Sequence, residues 1–298
     1  MTPVRLGVTL PQFTSDAGVM LDGVERAEGL GLDSIWLFDH LWPLGGNKKR
    51  PILECWSTLA WIAAKTGGIG IGSLVTRSSL RHPALLARMA ATVASVAPGR
   101  LIVGVGSGDE QSRAENEAFG MPYWAGEDRE DQLEATVEVL NRCFYEELAT
   151  VHNDHVSVEA LPPGPLITPP AVWVGGTSVS AQNLAARLAD GWNAWEATPQ
   201  EMSAGAAEVA RVAGERVVEI TWAGQVFLGA TDEAAHERWG GRATPRSIIG
   251  GPEAVALRLN DLVAAGVTHL IASFVNASEE EPFRLVAEEV RPLLVGTP

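Results

Sequence analysis

Residues 70–108 read GIGSLVTRSSLRHPALLARMAATVASVAPGRLIVGVGSG. An apolar strand runs to about Val75, a polar loop follows, and a helix starts near Pro83, where a residue without an N–H is tolerated. Pro98-Gly99 stops that helix, and a second apolar strand, Leu101 to Gly106, breaks into a glycine-rich turn. Strand, loop, helix, strand at this spacing is one right-handed βαβ unit of a parallel sheet. Both strands end in small residues, which predicts room there for something flat and large. That end is the expected working face.

The pattern repeats in both directions. Upstream, Arg5 to Leu10 and Ser34 to Phe38 read as strands, with helices over Val19 to Leu30 and Glu54 to Lys65. Downstream, a helix over Asp128 to Tyr145 leads to strands at Ala171–Val174, Trp192–Trp195, Val217–Leu228 and Thr268–Phe274, and Pro282 to Leu294 reads as a closing helix. Each strand is a nearly continuous apolar run, the mark of a parallel sheet buried on both faces. Eight such repeats close into a (β/α)8 TIM barrel, and the length beyond ~250 residues is taken up by insertions. These fall at about 146–170, a hairpin or irregular excursion ending in proline pairs, and at 231–251, rich in turn residues. No stretch reads as a linker, so residues 1–298 are expected to form a single domain.

The 298 residues are 46% apolar and 20% charged, an ordinary globular composition. A formal net charge of −15 disfavours nucleic acid and anionic membrane as partners. No apolar run approaches membrane length, and the N-terminus lacks the pattern of a signal peptide. Cys55 and Cys143 stand alone, without CxxC or paired histidines, which argues against a disulfide framework and against a metal site and suits a reducing, cytoplasmic setting. Basic residues gather at Lys48-Lys49-Arg50 and at Arg77, Arg81 and Arg88, either as solvated surface or as local anion sites.

In this fold the chemistry belongs at the carboxyl ends of the strands. Strand two delivers Asp39, His40 and Trp42; strand three Ser73, Leu74, Val75 and Thr76; strand four Gly106, Gly108, Asp109 and Glu110; strand five Gly175, Gly176, Thr177 and Ser178; strand six Trp195. His40 beside an acid can move a proton near neutral pH, although the position also suits a structural loop histidine. The Gly104-to-Asp109 turn is not a dinucleotide fingerprint, because aspartate stands where its third glycine is required and the strand is fourth rather than first. Gly175-Gly176-Thr177-Ser178, between strand and helix, is either a phosphate seat or a simple cap. Neither a G-x-S-x-G elbow nor a P-loop is present. Ten tryptophans suggest core filling, with Trp42 and Trp195 placed to wall a planar ligand in a substrate pocket.

Several segments resemble the luciferase-like flavin and deazaflavin oxidoreductases, and among them the coenzyme F420-dependent branch. They are LGLDSIWLFDHL (30–41), LRHPALLA (80–87), GRLIVGVGSG (99–108), EAFGMP (117–122), VWVGG (172–176), ARLADGWN (186–193) and AGVTHLI (265–271). The resemblance implies a deazaflavin ring over the strand ends, backed by a non-proline cis peptide that maps to Ser73-Leu74. It also implies a ring-side Asp39-His40 pair, cofactor phosphate at Gly175-Gly176, and Asp109 where sugar-phosphate dehydrogenases carry glutamate. Hydride transfer between F420 and a small substrate would then be accompanied by a proton moved by His40, assisted by Asp109 or Glu110. Glucose 6-phosphate is not the expected substrate, since basic residues for its phosphate have no clear counterparts. An FMN-dependent monooxygenase of the same fold is the alternative, and a homodimer is usual in the family.

Overall fold

The computed structural model describes residues 3–43, 47–166 and 168–296. Eight strands form the centre: β1 (Arg5–Thr9), β2 (Ser34–Leu37), β3 (Gly70–Ser73), β4 (Leu101–Gly106), β5 (Ala171–Gly175), β6 (Gly191–Trp195), β7 (Glu219–Leu228) and β8 (His269–Phe274). Each pairs in parallel with the next, and β8 returns to β1 with Gly7 opposite Ile271, so the sheet closes as a (β/α)8 barrel. All eight carboxyl ends therefore open on one mouth.

Helices such as Cys55–Lys65, Pro83–Val96 and Glu127–Tyr145 cover the outside. Leu59, Ile62, Leu86, Val137 and Leu140 are among the side chains buried between them and the strands. The inside is plugged by Trp36 and Trp173, stacked with ring centroids 4.9 Å apart, together with Leu74, Ile102, Ala223 and Ile271. A Cβ on Gly72 would come within 2.3 Å of Trp36, and one on Gly191 within 2.5 Å of Trp173. Strand glycines thus make the space that the indoles fill.

Three expectations are corrected. The third strand ends at Ser73 rather than about Val75, and the chain pairs again with β4 at Thr76–Arg77. The non-proline cis peptide joins Leu74 to Val75, one bond beyond Ser73-Leu74. Leu74 N still donates to Leu37 O at 2.7 Å, so the ladder to β2 runs through Leu74 before the chain departs from it. The closing helix is broken into Glu281–Arg284, a wide turn over Leu285–Val290 and a tight one over Arg291–Leu293. Pro292 has no N–H to continue an α-helical ladder.

The first insertion is the expected hairpin, Ala149–His152 paired antiparallel with Ser157–Leu161. The second is more regular than its turn residues suggest. It forms a helix, Asp232–Trp239, and a strand, Ile248–Gly250, that extends the sheet beside the end of β7.

Candidate active site

The exit of β2 is fixed before any chemistry is considered. Gln12, fully buried, donates to Phe38 O at 2.8 Å and Leu53 O at 2.7 Å, and accepts from Phe38 N at 2.9 Å. Asp39 follows, also buried, and is gripped through both oxygens by Arg81, which reaches Glu54 Oε1 at 3.0 Å as well. Glu54 in turn caps the helix Cys55–Lys65, accepting from Trp56 N and Ser57 N. Asp39 is thereby part of an ionic brace that holds its neighbour in place.

His40 sits at the rim with its side chain 20% exposed. Its Nδ1 lies 3.2 Å from Glu115 Oε2, and Glu115 has no exposed side-chain surface. The other carboxylate oxygen accepts from Leu41 N and, at 2.9 Å, from Trp42 N. Arg77 Nη2 approaches Glu115 Oε2 at 2.6 Å, a charge contact more than an aligned hydrogen bond. Burial raises the Glu115 carboxyl, but the His40 contact, the Arg77 charge and the Trp42 N–H outweigh it and hold the group below the usual glutamate range. The Nε2 atom of His40 has no protein partner among the described residues. One ring nitrogen is committed and the other is free, which suits a group that exchanges a proton.

Of the cations considered as solvated surface or local anion sites, Arg77 and Arg81 are spent on buried carboxylates, while Lys48, Lys49 and Arg50 are exposed. Arg77 and Arg81 face Glu115 and Asp39, while Arg88 donates to the carbonyls of Pro162 and Pro163. Arg50 reaches Phe13 O, and Lys48 Nζ lies 4.3 Å from the Trp42 ring centroid.

The small residues at the strand ends also serve a different purpose from the one predicted. A Cβ on Gly106 or Gly175 would come within 2.6 or 2.8 Å of the Val75 methyls, and one on Gly104 within 2.2 Å of Ser73 O. The glycines receive the displaced third strand itself, so the half-buried Val75 takes the room expected for a ligand. Ser73 Oγ donates to Gly104 O at 2.9 Å, and Thr76 Oγ1 accepts the Trp56 indole N–H at 2.9 Å. Ser73 and Thr76 therefore fasten this segment from two sides, while Leu74 joins the barrel interior.

On β5 the chain leaves through Gly175 and Gly176, the latter at φ +146°, a value only glycine adopts freely. Ser178 caps the helix Val179–Leu188 by accepting from Ala181 N at 3.2 Å. The N–H groups of Val179 and Ser180 find no protein acceptor among the described residues, and Thr177 and Ser178 are exposed beside them. Free amides, hydroxyls and the positive end of a helix dipole are groups that could hold an anion.

Asp109 and Glu110 are at the same mouth but otherwise engaged. Asp109 Oδ1 accepts from Ser112 N at 3.0 Å and Ser112 Oγ at 2.9 Å, and Gly108, at φ +74°, turns the chain into that cap. Glu110 pairs with Arg113 and receives the Tyr123 hydroxyl at 3.1 Å. Trp195 is 39% exposed and meets Phe38 edge-on at 5.7 Å, while Trp42 meets Phe119 at 6.1 Å. Glu115 was not anticipated. Acids stand at 109, 110, 115 and 117, and nothing in their spacing singles out the one that turns inward.

A closed parallel barrel that gathers His40 and the start of the helix after β5 on one mouth is the architecture of the (β/α)8 class. A family model described as luciferase-like monooxygenase matches residues 1–244, and the chain belongs to that family. It is 32% identical over 158 residues to an F420-dependent glucose-6-phosphate dehydrogenase of Kineococcus radiotolerans, covering 52% of this chain and 45% of that one. The chain thus spans about half the length of the curated relatives it matches. The coenzyme F420-dependent tetrahydromethanopterin reductase of Methanopyrus kandleri superposes with a TM-score of 0.81 at 18% identity, covering 99% of this chain and 100% of that one. The monooxygenase RslO1 of Streptomyces bottropensis gives 0.78 at 19% identity, covering 97% and 99%. At such identities the structural matches establish the fold.

Proposed function

We propose that this protein is an F420-dependent oxidoreductase that transfers a hydride between the deazaflavin and a small organic substrate, an alcohol or an activated C=C or C=N group. The observation that carries the reading is His40, tied through Nδ1 to a buried carboxylate with Nε2 open at the mouth that also holds the amides of Val179 and Ser180. The relatives named as F420-dependent support the choice of cofactor. Residues 175–178 with the first amides of the following helix would hold its phosphate, and the segment Leu74–Val75 would back its ring. When bound, the deazaflavin supplies the two-electron hydride acceptor or donor.

The chain's own share is positioning and proton movement. As an alcohol becomes a carbonyl, His40 Nε2 takes the hydroxyl proton, and in the reverse direction it returns it. The brace of Asp39, Arg81 and Glu54 keeps the ring at the rim. Because Arg77 and Arg81 are spent on carboxylates, they are not available to a sugar phosphate, which favours an uncharged substrate. One domain, a homodimer and a cytoplasmic location belong to the same reading; among the described residues no helix is long and apolar enough to cross a membrane.

Titration with each cofactor tests the proposal. Saturable quenching of F420 fluorescence, with FMN failing to compete, is expected. Tight FMN binding with none by F420 would replace it with a flavin-dependent monooxygenase.

A further inference from the structure

We infer that Glu115 and Arg77 form a positioning pair that fixes the His40 tautomer, keeping the proton on Nδ1 and leaving Nε2 as the atom that exchanges protons with substrate. The inference deepens the proposed function and rests on its assignment of His40 as the proton carrier.

The argument begins with the acceptor geometry of one buried carboxylate. Leu41 N and Trp42 N, which can only donate, both point at Oε1, leaving Oε2 to His40 Nδ1 and Arg77 Nη2. A carboxylate held ionised has no proton to give, so the hydrogen between Oε2 and the imidazole belongs to Nδ1. The same residue therefore orients the ring and pins the two backbone amides that follow it. Glu115 comes from the short helix Arg113–Ala118 and Arg77 from the segment after the displaced strand, so three separate parts of the chain meet at this point.

Arg77 is itself immobilised. Its Nη1 donates to Asn116 Oδ1 at 3.0 Å and Ser112 O at 3.4 Å, and Asn116 is tied to Ser79 Oγ and Pro122 O. An unopposed buried carboxylate beside an imidazole favours the protonated ring and would hold it there. Arg77 offsets that field, so the ring can gain and lose a proton in each cycle. The other charges facing this group are Asp39, braced by Arg81 and Glu54, and Asp109, whose field reaches Arg77.

Glu115→Gln makes the sharpest test, because the two backbone amides require the carbonyl oxygen of the new amide at the Oε1 position. Its NH2 must then face His40 Nδ1, and the ring is forced into the opposite tautomer, with the proton on Nε2. Imidazole 15N spectra of the cofactor-free protein, with His40 assigned from a His40→Gln sample, should show Nδ1–H in the wild type and Nε2–H in Glu115→Gln. In steady state with F420, kcat should fall by roughly 10²- to 10⁴-fold with F420 affinity within about threefold of wild type. Arg77→Met should act differently, keeping the wild-type tautomer while the acid limb of kcat moves to higher pH.

Nε2–H in the wild type, or an unchanged tautomer in Glu115→Gln, would overturn the inference. So would an acid limb of kcat in Arg77→Met that stays put or moves to lower pH. If Glu115→Gln does not fold, the wild-type tautomer and the Arg77→Met pH profile still decide. A protein that shows the expected tautomers but does not bind F420 would refute the proposed cofactor while leaving the pair intact.

Discussion

His40 and His269 each offer a ring nitrogen to an oxygen, at 3.2 Å from Glu115 Oε2 and 2.7 Å from Ser34 Oγ. His40 follows the carboxyl end of β2, whereas His269 is the first residue of β8, at the other end of the barrel. His269 even has the outline of a hydrolase triad, with Ser34 on one side and Glu219 Oε1 3.7 Å from Nδ1 on the other. Three features disqualify it. Ser34 and His269 are each 1% exposed. The Ser34 hydroxyl oxygen already accepts the Trp36 indole N–H at 2.8 Å, which ties it into the barrel interior. Burial, with Arg5 nearby, pushes the His269 ring well below its usual value of 6.5 and keeps it neutral. What separates the two histidines is access and the partner's charge, since each has one ring nitrogen hydrogen-bonded.

The largest effects should divide along that line. His40→Gln is expected to lower kcat by about 10²- to 10⁴-fold, the usual worth of a positioned acid or base. Its Tm should stay within about 2 °C of wild type, because the glutamine amide can still donate to the Glu115 carboxylate at the rim. His269→Gln should leave kcat and KM nearly untouched. A His269→Gln enzyme that loses activity while His40→Gln keeps it would invert the comparison.

Ser34→Ala gives a smaller effect and a purely structural one. It strands the Trp36 indole N–H and the His269 ring in the barrel interior, where an unsatisfied polar group costs about 1–3 kcal/mol. Chemical denaturation should register that loss with no change in the shape of the pH–rate profile. A changed profile would mean that the lower histidine communicates with the mouth.

The different legibility of these regions has a physical basis. The barrel is written in contiguous apolar runs such as SIWLF (34–38) and LIVGV (101–105), because a strand buried on both faces must be apolar throughout. Asp39-His40 and the double glycine after β5 could be placed because a strand end is a local feature. The reach of Glu115 to His40 spans 75 positions, and that of Ser34 to His269 spans 235; no local pattern encodes such contacts. The glycines misled for a related reason. Gly104, Gly106 and Gly175 do mark a close approach, but sequence alone cannot say whether a ligand or another strand makes it, and here it is Val75 and Ser73. The roles of Arg77 and Arg81 were left open by the sequence for the same reason, since their carboxylate partners come from distant segments.

The smallest expected effect separates the histidines by pH. A ring whose folded-state value lies below its unfolded one binds fewer protons when folded, so His269 costs nothing above about pH 6.5 and removes stability as the pH falls below it. The loss approaches ~1.4 kcal/mol for each unit below the unfolded value, until the folded ring itself titrates. His269→Gln retains a side chain that can meet the Ser34 hydroxyl but has no proton to gain. The difference in unfolding free energy between wild type and His269→Gln should therefore shift in the variant's favour by about 1 kcal/mol between pH 7 and pH 5.5. His40→Gln, measured over the same range, is the control for a histidine lost from the partly exposed rim. Parallel curves for His269→Gln and wild type would mean that the buried ring is already charged, or that the lower barrel opens to water before it titrates.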